Sequence, residues 1–106
     1  SISESELVMP NAFSPNGDGI NDVYKPKTGY KSIVNFDAYI FNRWGVKLFE
    51  WHDPSTGWDG TYKGTPVKDG TYFCLVKAEG ADGRKFNIKK DVNLLRGYTE
   101  GTTVTQ

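Results

Sequence analysis

Turn sequences interrupt this chain so often that no long helix fits between them. The 106 residues include 12 glycines and 5 prolines, and Asp-Pro, Thr-Gly, Asp-Gly and Lys-Gly pairs follow one another from residue 52 to residue 70. Such pairs are typical of turns and loops. Alanine, leucine and glutamate, which favour helices, are few. We therefore predict an all-β fold of short strands joined by tight turns.

Residues 33–43 show the strand pattern most clearly. Phe36 and Ile40 fall on one face of an extended chain, because successive side chains of a strand point to opposite faces. Tyr39 and Phe41 place aromatic rings on the other face. Because both faces are apolar, we predict that this strand lies inside a sheet and not at its edge.

Alternation and turn sequences predict the remaining strands. Residues 42–45, Asn-Arg-Trp-Gly, indicate a hairpin whose glycine is available for positive φ. Further strands are predicted at residues 7–13, 23–25, 46–51, 71–79 and 84–96. Pro10 interrupts the first of these and predicts an edge position for it. Roughly six or seven strands with short turns are typical of an antiparallel two-sheet sandwich, and 106 residues have room for one such domain.

Charge and rare residues limit the kinds of function. Thirteen acidic and thirteen basic residues cancel, so the composition gives no indication of binding to nucleic acid or to an anionic membrane. No apolar run approaches the about 20 residues that a membrane-spanning helix needs. Cys74 is the only cysteine and lies in an apolar alternation, which predicts a buried thiol. His52 is the only histidine, so we do not expect a zinc site.

A polar, glycine-rich loop follows the first predicted strand and has the spacing of a calcium-binding loop. Asn16, Asp18 and Asp22 match ligand positions 1, 3 and 7, and the carbonyl of Ile20 would add a ligand. Position 12 of an EF-hand is a glutamate, whereas Lys27 stands there in this chain. The alternative is a turn held by hydrogen bonds between its own side chains and the backbone. Calcium is therefore a candidate cofactor, and the sequence establishes none.

The aromatic residues of the chain allow a binding function, whereas its nucleophilic residues give no support for catalysis. If the indoles of Trp44, Trp51 and Trp58 are exposed, they suggest a carbohydrate-binding module. The alternative is that they are buried and cover the ends of a small core. No serine or cysteine has a basic partner in a recognisable arrangement, and no phosphate-binding glycine loop leads into a helix. We therefore predict that the protein is not an enzyme.

Five sequence blocks follow one another in an order typical of a known family. They are residues 11–22 (Asn-Ala-Phe-Ser-Pro-Asn-Gly-Asp-Gly-Ile-Asn-Asp), 40–45 (Ile-Phe-Asn-Arg-Trp-Gly), 57–62 (Gly-Trp-Asp-Gly-Thr-Tyr), 69–72 (Asp-Gly-Thr-Tyr) and 94–96 (Leu-Leu-Arg). Together they resemble the gliding-motility-associated C-terminal domain, which is the type B sorting domain of the Bacteroidota type IX secretion system. The resemblance covers residues 7–96. Residues 1–6 look like the end of a linker, and residues 97–106 form a tail that departs from the family pattern.

The resemblance implies an immunoglobulin-like antiparallel β-sandwich of about seven strands without catalytic activity. Such a domain directs a cargo protein, fused to its N-terminal side, through the type IX system. The path leads through the periplasm to the cell surface or the medium. The implied partners are the outer-membrane translocon and an associated outer-membrane protein that assists export, and we expect a monomer that binds no nucleic acid.

Residues of the hairpin and of the last block are the expected contacts with those partners. Arg43 lies in the hairpin with Asn42, Trp44 and Gly45, and Arg96 ends the last block. The alternative is that these arginine side chains are only exposed to solvent and contact no partner. The alternative function is a carbohydrate- or ligand-binding sandwich module of a surface protein. Exposed tryptophans grouped on one face would favour the binding module, whereas buried indoles with a free edge strand would favour the sorting signal.

Overall fold

The computed structural model describes residues 4–17, 19 and 22–96, and this part of the chain is all-β without a helix. Its strands are β1 (Ala12–Phe13), β2 (Ile33–Phe41), β3 (Lys47–Trp51), β4 (Thr61–Tyr62), β5 (Thr65–Pro66), β6 (Gly70–Gly80) and β7 (Lys85–Leu94). The predicted fold class is confirmed. The immunoglobulin-like topology that the resemblance implies stays a prediction.

A five-stranded sheet with the order β1-β7-β6-β2-β3 forms the larger layer. Its neighbouring strands are antiparallel except for β1, which runs parallel to β7 with Phe13 beside Leu94. Strands β4 and β5 form a separate two-stranded hairpin. The strand predicted at residues 33–43 forms as β2 and lies between β6 and β3, so its interior position is confirmed.

The segments before β1 and before β2 complete the core without forming a continuous second sheet. Isolated backbone bridges join Glu6 to Lys31 and Tyr24 to Trp58. The prediction of one strand over residues 7–13 is wrong in extent, since only Ala12–Phe13 forms a strand. Proline has no N–H to donate to a ladder, and the chain before Pro10 pairs with residue 31 instead of with β7.

Aromatic rings from both layers pack together in the core. Trp58 and Tyr24 are fully buried, and their ring centroids lie 5.5 and 5.8 Å from that of Phe13. The indole N–H of Trp58 donates to the carbonyl oxygen of Thr61 at 2.8 Å, and the hydroxyl of Tyr24 donates to the carbonyl oxygen of Pro10 at 2.7 Å. These bonds satisfy polar atoms that would otherwise be costly to bury.

The two faces of β6 differ in burial. Cys74, Val76 and Ala78 point into the core, as predicted for the thiol, and burial raises the pKa of Cys74 to about 12. On the outer face Phe73 is 40% exposed and lies opposite Phe41 of β2. The outer face of the sheet thus carries exposed aromatic surface near the end of β2.

Candidate functional site

Strand directions bring the sequence blocks to one end of the molecule. Strand β2 ends beside the start of β6, where Phe41 pairs with Phe73, and β7 ends beside Gly70. Strand β1 ends beside β7, where Phe13 pairs with Leu94. The segments that follow β1, β2 and β7, and the segment that precedes β6, therefore meet. We call residues 14–17, 42–46, 60–70 and 95–96 the loop end.

Arg96 joins the last block to the turns that precede β6. Its guanidinium donates from Nη2 to the carbonyl oxygen of Gly60 at 2.7 Å and from Nη1 to that of Val67. Its backbone N–H donates to Oδ2 of Asp69 at 3.0 Å, and Nη1 lies 3.7 Å from Oδ1 of the same carboxylate. Arg96 therefore anchors residues 60–69. Its expected contact with a partner stays a prediction.

Gly60 allows three parts of the loop end to approach closely. It has φ +83°, and a Cβ there would lie 2.9 Å from Nη2 of Arg96 and 3.0 Å from Cγ of Pro15. A side chain would thus require the loop after β1 and the arginine anchor to move apart. The Asp-Gly pair in the third block indicated a turn, but sequence reasoning did not reveal this contact.

The hairpin between β2 and β3 has a rigid tip. The side-chain oxygen of Asn42 accepts the N–H groups of Trp44 and Val46 at 2.9 and 3.0 Å. The N–H of Gly45 donates to the carbonyl oxygen of Asn42, and Gly45 has φ +81°. Asn42 and Gly45 thus shape the turn that the sequence predicted. Its other two residues point outward.

Arg43 and Trp44 form the exposed part of the hairpin tip. Trp44 is 73% exposed, and Cζ of Arg43 lies 4.4 Å from the centroid of an indole ring of Trp44. Such stacking holds the guanidinium while leaving its edge free to donate hydrogen bonds. The tip therefore presents a preformed pair of a cation and an aromatic ring.

A groove of about 570 Å³ separates the hairpin tip from the segment that enters β6. Arg43, Trp44 and Val46 line one side, and residues 67–73 line the other. Val46 is 46% exposed, and Phe73 also borders the groove. We call this feature the Trp44 groove. Sequence reasoning identified Arg43 and Trp44 but missed its other wall, because nothing local in residues 67–73 indicates which hairpin they face.

The described part of the predicted calcium loop is held by Asp22. Oδ1 of its carboxylate accepts the N–H groups of Asn16 and Gly17 at 3.2 and 3.0 Å, and Oδ2 accepts that of Gly19 at 2.7 Å. These contacts match the hydrogen-bonded turn that was the alternative to a metal site. Asp18 and Ile20 lie outside the described residues. The metal site stays a prediction.

Acidic residues elsewhere in the described chain serve local structure. Asp53 accepts hydrogen bonds from the N–H and hydroxyl groups of Ser55, which lower the pKa of its carboxyl, and Asp59 accepts from Thr61. His52 bridges Asp37 and Glu50, and its pKa is raised chiefly by the bond to Asp37. Among the described residues, no three His, Cys, Asp or Glu side chains are grouped so as to hold a metal ion.

Thermal melts test whether calcium binds the loop after β1. A ligand selective for the native state at a hundredfold excess over its Kd stabilises it by about 2.7 kcal/mol. Calcium binding should therefore raise the melting temperature by several degrees relative to chelator, and less in the Asp18→Ala variant. Asp53→Ala removes a turn carboxylate elsewhere and serves as the control. Identical melting temperatures of the wild-type protein in calcium and in chelator would show that this loop is a hydrogen-bonded turn and not a calcium site.

The tryptophans separate the two functions considered from sequence. Trp51 and Trp58 are 5% and 0% exposed, so of the three tryptophans, all within the described residues, Trp44 alone is open to solvent. A carbohydrate-binding face would require several exposed indoles together. Within the described part of the chain, strand β3 is an edge strand of the sheet and pairs with β2 alone. Buried indoles together with an edge strand favour the sorting signal.

Comparison with known proteins yields one family. The model of the CHU_C Type IX secretion signal domain matches residues 7–92. The match includes four of the five blocks, and the block that contains Arg96 begins two residues after the match ends. No curated protein matches the chain. Within the described residues, no helix has the length and apolar character needed to cross a membrane.

Proposed function

Because this chain belongs to the CHU_C family of type IX secretion signal domains, we propose that the secretion machinery reads its folded loop end. As a member of that family, the domain is a sorting signal that directs an attached cargo through the type IX system to the cell surface or the medium. The proposal concerns which part of the domain carries this signal and what reads it.

The gathering of distant blocks at one end carries the proposal. Arg96 contacts Gly60 and Val67, which precede it by 36 and 29 residues. Pro15 lies close to the same glycine, since a Cβ there would lie 3.0 Å from Cγ of Pro15. A linear signal would need no such convergence, because its information would lie in one stretch of chain. The convergence supports a signal that exists only in the folded domain.

The N-terminal segment lies at the opposite end of the sheet. The N–H and hydroxyl of Ser5 donate to Asp82 at 2.9 and 2.7 Å, and these bonds, with one from Arg84, lower the pKa of Asp82 to about 2. Nη2 of Arg84 also lies 2.6 Å from Oε2 of Glu4. A cargo joined before this segment would extend away from the loop end. That arrangement leaves the loop end accessible to a reader.

The reader we propose is the outer-membrane translocon together with an outer-membrane protein that assists export. The domain would fold in the periplasm, present its loop end to this reader, and perform no catalysis. In the described part of the chain, the edge strand β3 continues from the hydrogen-bonded hairpin of residues 42–45, which borders the Trp44 groove. These neighbouring features would form the surface that such a reader contacts.

Paired arginine variants test whether the loop end carries the signal. The full chain, fused behind a periplasmic reporter, should deliver the reporter to the surface of a type IX-competent cell and not of a cell without the translocon. Arg96→Ala should lower delivery, because it frees residues 60–69 at a local cost of about 1–3 kcal/mol. That cost is below the total stability of about 5–15 kcal/mol expected for a small domain, so the variant should stay folded.

The control is Arg84→Ala, which removes the corresponding anchor at the opposite end, where Arg84 contacts Glu4 and the carbonyl oxygen of Ser5. It should leave delivery near the wild-type level. Circular dichroism melts of both variants check the fold. Equal losses from the two variants would show that general stability matters and not the loop end.

A further inference from the structure

The Trp44 groove has the composition of a protein-binding hot spot. Trp44, Val46 and Phe73 are 73%, 46% and 40% exposed and border the same groove. Exposed apolar side chains grouped in this way mark interaction surfaces on soluble proteins. Tryptophan and arginine are also the residues that most often dominate binding energy, and Arg43 stacks on Trp44.

The negative charge that borders the groove has an ion-pair partner in the described chain, whereas the positive charges there do not. Asp69 is engaged by Arg96 through its backbone N–H and its guanidinium. In the described part of the chain, no carboxylate lies within ion-pair distance of Arg43 or Lys68. Among the described residues, Arg43 and Lys68 are therefore positive charges at the groove without an acidic partner, although the acidic and basic residues of the full sequence cancel.

Hydrogen bonds within each wall hold the backbone that shapes the groove. Asn42 holds the hairpin tip through the N–H groups of Trp44 and Val46. On the other wall the hydroxyl of Tyr72 donates to the carbonyl oxygen of Lys68 at 2.6 Å. A preformed site loses little conformational entropy on binding, so modest contacts suffice for affinity.

We propose that the Trp44 groove binds an acidic, extended segment of the protein that reads the secretion signal. Carboxylates of this segment would pair with Arg43 and Lys68, and an apolar side chain would pack between Trp44 and Phe73. Two cations beside apolar walls suit a short acidic peptide better than a polyanion, which needs a longer basic surface. This inference rests on the proposed function, because it names the chemistry of the partner for that same surface.

Charge variants in the surface-delivery assay test this inference. Arg43→Glu and Lys68→Glu should each lower delivery by about tenfold or more, because they place like charges against the acidic segment. Lys68→Arg keeps the charge and should stay within about twofold of the wild type. Arg43→Lys also keeps the charge but loses the guanidinium stack on Trp44, so it should lower delivery clearly less than Arg43→Glu does. The matched control is Lys85→Glu, since Lys85 is exposed at the opposite end of the sheet and should tolerate reversal. Thermal melts confirm that every variant is folded.

Several outcomes would overturn the inference while leaving the proposed function intact. If Arg43→Glu and Lys68→Glu both deliver the reporter at the wild-type level, the two positive charges do not contribute to recognition. Loss of delivery by Arg43→Lys as severe as that by Arg43→Glu would show that guanidinium shape matters instead of charge. Failure of the wild-type domain to deliver the reporter would instead count against the proposed function itself.

A lipid occupant is separated from a protein segment by a binding measurement. The chain should not co-sediment with phosphatidylglycerol vesicles at physiological salt, because two cations give little attraction to an anionic surface, which is bound by larger clusters of basic residues. If the wild type binds the vesicles and Arg43→Glu loses both vesicle binding and delivery, the groove binds anionic lipid. That result would overturn the proposal of a protein segment.

Discussion

Replacing Ile40 with aspartate is expected to unfold the domain and abolish export of an attached cargo. Ile40 is fully buried in β2, where it lies between Phe49 of β3 and Cys74 of β6. Among the described residues, the buried core contains no cationic side chain that could pair with a new carboxylate. An unpaired buried charge costs several kcal/mol, which is comparable to the about 5–15 kcal/mol of total stability of a small domain.

The matched control is Val34→Asp, because Val34 belongs to the same strand but is 58% exposed. This variant should keep its fold and deliver the reporter, since its carboxylate stays in water. Far-UV circular dichroism with thermal melting reports the fold, and surface labelling of the reporter reports delivery. Delivery by an unfolded Ile40→Asp protein would show that the signal does not depend on the folded domain.

A fragment of residues 84–106 is expected to deliver none of the reporter that the full chain delivers. The fragment retains β7 but lacks β6 and β1, the strands that pair with it. It also lacks Gly60, Val67 and Asp69, which are the partners of Arg96. A single strand without neighbours cannot bury its apolar face or hold its backbone in a sheet, so the loop end would not form.

Surface labelling of the same reporter, fused either to the full chain or to the fragment, measures this prediction. A fragment with the same composition in scrambled order controls for unspecific effects of a short tail, and periplasmic reporter levels control for expression. Delivery by the fragment equal to that of the full chain would establish a linear signal. The loop end would then be a structural feature without a role in recognition.

Local patterns in the sequence were sufficient to predict the main strands. The alternation in residues 33–43 led to β2, and the residues 42–45 led to the hairpin that Asn42 and Gly45 hold. The buried thiol of Cys74 followed from the same kind of pattern. These features depend on neighbours within a few residues, such as the side-chain oxygen of Asn42 bonding two and four residues ahead.

The candidate site was predicted only in part. Arg43 and Trp44 were identified from the family blocks, and the structure places both at the exposed tip. Arg96 was expected to contact a partner. The structure shows that it anchors residues 60–69, which no local sequence pattern indicated. Lys68 and Phe73 were not singled out, because their significance depends on the hairpin across the groove.

The sequence by itself therefore determined the class of fold, the main strands and turns, and membership of the secretion signal family. Those properties reside in alternation over two residues, in turns of four residues and in short blocks that keep their order. The tertiary structure alone decided that the blocks meet at one end, that Trp44 is exposed while Trp51 and Trp58 are buried, and that Arg43 and Lys68 share a groove. The physical reason is that strand order and register bring residues 20 to 40 positions apart into contact. The sequence around one of these residues does not indicate which distant residue it will contact.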